Sequence, residues 1–245
     1  ATANLHSQNI TFNHLTTDDG LSQFSVNSLY IDERGIIWIG TREGLNRYNG
    51  NDIKSFKLKK NDPNSLFSNT VLRITGNKKG KVYLLCTDGI AEFDLTTQRF
   101  KTLLQGNVDA IYYNEKLYIG KREEVFVYNE STGNFDLYYH LAGKDITLSC
   151  LHLDDKKNLW MGTTGNGVYC LSENKTVSQP ITKGNITSIY EDSSKELWIG
   201  SWEEGLYHIT TDGNIKNLRH DPQNPNSLCS DFVRSCCEDN AGNLW

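Results

Sequence analysis

The sequence predicts an all-β chain, a β-propeller of four-stranded antiparallel blades. The first observation behind this is a recurring aromatic anchor. Trp38, Tyr83, Tyr118, Trp160, Trp198 and Trp245 stand 45, 35, 42, 38 and 47 residues apart. The second is the pattern around each anchor. Apolar and polar residues alternate with a period of two, and Gly, Asn and Asp divide the runs into short strands. A repeat of roughly 40–45 residues holding four strands is the signature of a propeller. The third is an absence. Helical repeats need 3.6-periodic runs of about ten or more residues, and the chain has none.

The first copy is Val26–Tyr48, VNSLYIDERGIIWIGTREGLNRY. Its alternation predicts strands over 26–31, 36–40, 44–48 and 53–57. The polar turn ending at Gly35, the Arg42-Glu43-Gly44 turn and Asn49-Gly50 separate them. The block after the anchor recurs as WIGTREGL, YLLCTDGI, YIGKREEV, WMGTTGNGV and WIGSWEEGL. Val26, Val71, Leu148, Ile186 and Val233 each precede an anchor by twelve residues, whereas Val108 precedes Tyr118 by ten. The missing residues predict a tight two-residue hairpin at Asn114-Glu115. Blades one to five therefore begin near Val26, Val71, Val108, Leu148 and Ile186.

Residues 1–9 read as a disordered N-terminus and 10–245 as one propeller domain. Ile10–Leu15 matches the fourth strand of a unit, since Phe12 precedes Val26 by nearly the distance that separates Phe56 from Val71. That strand is expected to complete the last blade, because closure removes the exposed edges of an open ring. The sixth unit begins at Phe232-Val233 and stops in mid-strand at Trp245. The expectation is five full blades, a partial sixth, and a fragment of a larger ring.

Composition supports a sizeable core: 37% of 245 residues are hydrophobic. A net charge of −5, with no basic stripe, argues against nucleic acid as a partner. No apolar run is long enough to span a membrane. The six cysteines show neither C-x-x-C pairs nor zinc-ligand spacing. Cys86, Cys150, Cys170, Cys236 and Cys237 fall in expected strands and read as small buried hydrophobes. No metal or cofactor is expected.

The connectors between fourth and first strands are long and polar. Lys59–Asn69 and Arg219–Asp231 share a DP…NSL element. Asp and Asn cap local N–H groups there, Pro fixes φ, and Leu packs back.

The block I-x-x-D-x-x-G-x-x-W-I-G-T-x-x-G-L-x-x-Y, with its DPNSL connector, resembles the two-component regulator propeller repeat. Ile31–Tyr48, Ile189–Tyr207 and the broken copy Cys236–Trp245 carry it best. The second and third copies depart from it, with Tyr83 and Tyr118 in place of Trp. The resemblance implies the periplasmic sensor region of a Bacteroides-type hybrid two-component system histidine kinase. It also implies a homodimeric receptor, an oligosaccharide signal and a kinase elsewhere in the full-length protein.

In a four-stranded blade, the second-to-third turns and the fourth-to-first connectors share one end of the ring. That end is expected to hold Arg42, Glu43, Arg122, Glu123, Asn166, Trp202 and Glu203. A glycan site needs planar polar groups for hydroxyls and an aromatic platform for the sugar face. Trp202 stands where other copies place Arg, Asp, Arg and Thr, so it is the candidate platform. Packing against a neighbouring loop is the alternative for Trp202, and plain solvation the alternative for the polar residues. Trp38, Trp160 and Trp198 are expected in the core between blades.

A protein-interaction propeller is a competing reading, and a glycoside hydrolase or lyase a weaker one. The turns from Asp32 to Trp38 and from Asp239 to Trp245 superficially resemble the sialidase Asp-box, but are one residue longer. Nothing gathers Arg42, Arg73, Arg122 and Arg234 into the arginine cluster such chemistry needs. No G-x-S-x-G turn is present, and the histidines are scattered, with His152 and His208 in strands as packing residues.

Overall fold

The computed structural model describes residues 14–142, 145–178 and 180–245. Five antiparallel sheets follow one another along the chain. The first holds β1 (Val26–Ile31), β2 (Ile37–Thr41), β3 (Gly44–Tyr48) and β4 (Ile53–Phe56). The second holds β5 (Val71–Gly76), β6 (Lys81–Cys86), β7 (Gly89–Asp94) and β8 (Arg99–Gln105). The third holds β9 (Ala110–Asn114), β10 (Lys116–Lys121), β11 (Glu124–Asn129) and β12 (Asn134–His140). The fourth holds β13 (Leu148–Leu153), β14 (Leu159–Thr163) and β15 (Val168–Leu171). The fifth holds β16 (Ile186–Glu191), β17 (Leu197–Ser201), β18 (Leu206–Ile209) and β19 (Ile215–Leu218). Each is a simple meander, and the first strands of successive sheets pack side by side around a common centre. This is the propeller the repeat predicts.

One hairpin explains why the anchor block folds locally. The Asp32 carboxylate caps its own turn: Oδ1 accepts the N–H groups of Arg34 and Ile36, and Oδ2 accepts Trp38 Nε1 at 3.0 Å. The same indole–carboxylate bond, at 2.8 Å, joins Trp160 to Asp154, Trp198 to Asp192 and Trp245 to Asp239. The turn needs one left-handed residue, which is Gly35 at φ 76° and Lys195 at φ 66° in two of the copies. The Asp-box-like spacing is thus a structural latch. In the third sheet Asn114 pairs with Lys116, so Glu115 alone, at φ 58°, forms the tip of a hairpin even tighter than the two-residue turn expected.

Packing between sheets then builds the core. Trp38, Leu45 and Phe56 of the first sheet meet Val71, Leu84 and Phe93 of the second. Tyr83 and Ile90 meet Ile111 and Ile119, Tyr118 meets Leu151 and Met161, and Trp160 meets Ile199 and Tyr207. The glycine after the anchor permits this approach. A Cβ on Gly40 would lie 2.8 Å from Val71 Cγ1. Polar staples tie the inner strands: Asn27 Nδ2 donates to Val71 O at 2.9 Å, and Ser149 Oγ to Ile186 O at 2.6 Å. Arg73 crosses the centre, its Nη2 within 3.4 Å of Ser149 O and 3.2 Å of Thr187 O.

Several expectations need correction. The fourth sheet has three regular strands. Its fourth-strand position is taken by irregular chain, with Ser178 N–H on Cys170 O and Ile181 N–H on Val168 O. Pro180 interrupts that stretch and has no N–H for the ladder. Phe232–Trp245 forms no strand, only a bridge between Glu238 and Leu244. Cys236 and Cys237 consequently lie outside strands, and Cys237 is exposed. Trp38 and Trp160 are buried, but Trp198 is only half-buried. The closing strand expected at Ile10–Leu15 falls largely on residues 10–13, outside the described residues, while His14 and Leu15 belong to no strand. Among the described residues no helix is long and apolar enough to cross a membrane.

Candidate functional site

Hydrogen bonds place the second-to-third turns beside the connectors, as the blade geometry requires. Thr70 Oγ1 donates to Arg42 O, Leu148 N–H to Arg122 O, and Trp202 N–H to Asn185 O. All seven sequence candidates therefore lie at one end of the ring. Arg42, Glu43, Arg122 and Asn166 are exposed there, and Glu123 is half-buried with its carbonyl accepting from Leu141. Among the described residues, no side-chain hydrogen bond or ion pair joins the candidates of one blade to those of another.

The fifth blade is different. Trp202 is 52% exposed, and its ring lies against Phe232 with centroids 4.3 Å apart. Trp202 thus packs on a neighbouring connector, as the alternative reading expects, while part of its ring stays open to solvent. Phe232 is also exposed. Arg219 fixes the turn that carries Trp202. Its Nη1 donates to Glu204 Oε2 at 2.7 Å, and its Nη2 to Glu203 O and to Asp231 Oδ2, each at 2.8 Å. Asp231 Oδ1 accepts the His220 N–H at 2.7 Å. That backbone N–H, and then the Arg219 guanidinium, hold the Asp231 carboxyl below its ordinary range. The clamp joins the β17–β18 turn to the connector on both sides of its DPQNPNSL stretch.

Beside the clamp lies a cleft of about 300 Å³. Asn217, Arg219, Asn224, Asn226, Ser227 and Leu228 line it. Amides and a guanidinium are planar, directional hydrogen-bonding groups, suited to neutral hydroxyls. A larger cleft of about 560 Å³ opens at the other end, between the second and third sheets, and includes Lys79, Tyr113, Glu130 and Asp136. The sequence candidates Trp202 and Glu203 lie in this cluster together with Phe232, Arg219 and Asp231, which the sequence reading did not single out as candidates. The signal available was their position: Arg219 and Asp231 bracket the connector, and Phe232 opens the next unit. Among the described residues, no group of three or more His, Cys, Asp or Glu could hold a metal ion.

The fold and the latch define the class, a β-propeller of short aromatic-anchored repeats. Residues 20–43 and 180–203 match the family described as two component regulator propeller. The two matches fall on the first and fifth units. A 55-residue stretch, 22% of the chain, is 44% identical to histidine kinase P4 of Formosa agariphila, where it covers 4% of the relative. The extracellular domain of a B. thetaiotaomicron protein described as a hybrid two component system superposes on 98% of the chain with a TM-score of 0.78 and 23% identity. The chain spans 33% of that domain. Virginiamycin B lyase of Staphylococcus aureus also superposes, over 80% of this chain and 71% of its own, with a TM-score of 0.66 and 16% identity. At these identities both superpositions establish the shared propeller fold.

Proposed function

We propose that the chain is a ligand-recognition propeller in the extracytoplasmic, periplasmic sensor region of a hybrid two-component system. Its signal is an oligosaccharide, and its output is a histidine kinase elsewhere in a homodimeric receptor. The observation that carries this reading is the exposed Trp202–Phe232 pair beside the asparagine-lined cleft. An aromatic face buries the C–H-rich face of a sugar, and nearby amides satisfy its hydroxyls. The Arg219 clamp pre-organises the platform, which lowers the cost of ordering it on binding. Support for the receptor context comes from the two matched repeats and from the kinase relative. Signalling then requires that the ligand bind one receptor arrangement better than the other, because only unequal binding shifts an equilibrium.

Calorimetric titration of wild type, Trp202→Ala and Phe232→Ala with an oligosaccharide library tests this. Each variant should bind more weakly by about 1–2 kcal/mol, the loss expected for a stacking face and its buried area. Unchanged affinity in both removes the pair from the site. Glycan turnover by the wild type favours a lyase or hydrolase instead. An exposed aromatic pair also suits a protein partner, and no binding across the library would favour that second reading.

A further inference from the structure

The fourth residue after each blade's first apolar residue occupies a repeated place on the inner strand. In sequence order these residues are Tyr30, Thr75, Tyr112, His152 and Tyr190. The tyrosines reach across to the following unit. Tyr30 lies over Gly76, Tyr112 Oη donates to Leu153 O at 3.4 Å, and Tyr190 Oη accepts the Glu238 N–H at 3.2 Å. In the fourth blade the place belongs to an imidazole. His152 Nε2 is buried without a hydrogen-bond partner, and Glu191 Oε2 of the fifth blade stands 3.7 Å away. Only 13% of either side chain is exposed. The other Glu191 oxygen accepts the Asp155 N–H at 3.1 Å, so that carboxylate itself spans the seam.

We propose that the contact between the fourth and fifth blades is an acid-sensitive latch, with His152 as the group that titrates. Charged and titratable groups reach His152 from several elements. Tyr112 packs on the imidazole from β9, with ring centroids 5.3 Å apart. Glu191 faces it from β16, Asp154 from the β13–β14 turn, and Lys195 from the β16–β17 turn. Asp155 pairs with Lys195 at 3.5 Å. Burial is the strongest influence and disfavours the imidazolium; Glu191 and Asp154 favour it, and Lys195 opposes it. The net result holds His152 below the ordinary histidine value. A base whose folded pKa is depressed contributes stability that is complete above its unfolded pKa, near 6.5, and lost as pH falls from there through the folded value. Acid therefore loosens this seam.

Hydrogen exchange of β13 and β16, corrected for intrinsic rates, reads the seam between about pH 7.5 and pH 5. Wild-type exchange should quicken on acidification by up to about tenfold for each pH unit by which the folded value is depressed. His152→Tyr installs the residue type of the first, third and fifth blades, and His152→Gln keeps a neutral side chain if the tyrosine does not fit. Both should flatten the response. Glu191→Gln removes a carboxylate that favours the imidazolium, so it should deepen it. A flat wild-type profile overturns the proposal. So does a wild-type response in the folded His152 variants, or its loss in Glu191→Gln, which would make the carboxylate the titrating group.

Discussion

Trp38 and Trp198 sit in almost the same words, WIGT and WIGS, and make the same bond to an aspartate six residues earlier. Their surroundings differ. Trp38 is fully buried, with Phe93 of the second blade 5.3 Å from its ring. Trp198 is half-buried and stacks on His208 of its own sheet, with centroids 3.9 Å apart. Trp245 extends the series: it keeps the latch to Asp239 at 2.8 Å while 57% exposed. The difference separates two contributions that the repeat normally superimposes. The Asp–Trp hairpin is local and forms wherever the block is written. Burial of the indole is supplied by the next sheet.

The largest expected effect tests that separation. Trp38→Ala should cost about 3–5 kcal/mol, the range for truncating a fully buried aromatic. Trp198→Ala should cost less, since part of its indole remains in contact with water. Thermal or denaturant unfolding of the two variants measures the gap. Equal losses would mean that the latch, not the neighbouring blade, supplies most of the stabilisation.

The latch itself is the next test. Asp32 is buried and accepts bonds from Trp38, Ile36 and both the backbone and side chain of Arg34. Asp32→Ala strands those donors and should cost about 1–3 kcal/mol, measured by the same unfolding curves. Burial pushes the Asp32 carboxyl upward, but the Arg34, Trp38 and Ile36 bonds outweigh it and leave the pKa below its ordinary value. Asp32 therefore contributes stability that is present above about pH 4 and lost as pH falls through the lower folded value. Asp32→Ala should flatten that part of the acid limb. Asp239→Ala, in the exposed copy, should change stability far less.

This comparison also explains what the sequence could disclose. The anchors, turns and strand limits are legible because each block determines its own hairpin: β1 runs over Val26–Ile31 as expected, and β2 differs by one residue at each end. Whether Trp198 is covered depends on a neighbouring sheet, and no pattern inside its own block records that. The outer edge of the fourth sheet was legible only through Pro180, a residue easily read as a turn. The candidate site divides in the same way. Trp202 stood out because it broke the repeat, but Phe232, Arg219 and Asp231 join it only through a connector folding back. Arg42, Glu43, Arg122, Glu123 and Asn166 share its end of the ring, yet turn residues on separate blades meet only through geometry that spacing does not encode.

The smallest expected effect on stability belongs to Trp202, four residues beyond Trp198. Its indole lies outside the inter-blade core, and its described aromatic contact is Phe232, itself exposed. The backbone of its turn is held independently: Trp202 N–H donates to Asn185 O at 2.9 Å, Ser201 Oγ to Gly205 O at 2.8 Å, and Arg219 to Glu203 O. Removing the ring leaves those bonds in place. Trp202→Ala should therefore shift unfolding by no more than about 0.5–1 kcal/mol, within the ordinary range for surface substitutions that touch one neighbour. Two tryptophans so close in sequence would then differ several-fold in stability cost, with the order reversed for ligand affinity. A Trp202→Ala loss as large as that of Trp198→Ala would instead identify the aromatic pair as a structural clasp between turn and connector, and would shift the search for a ligand toward the cleft beside Arg219.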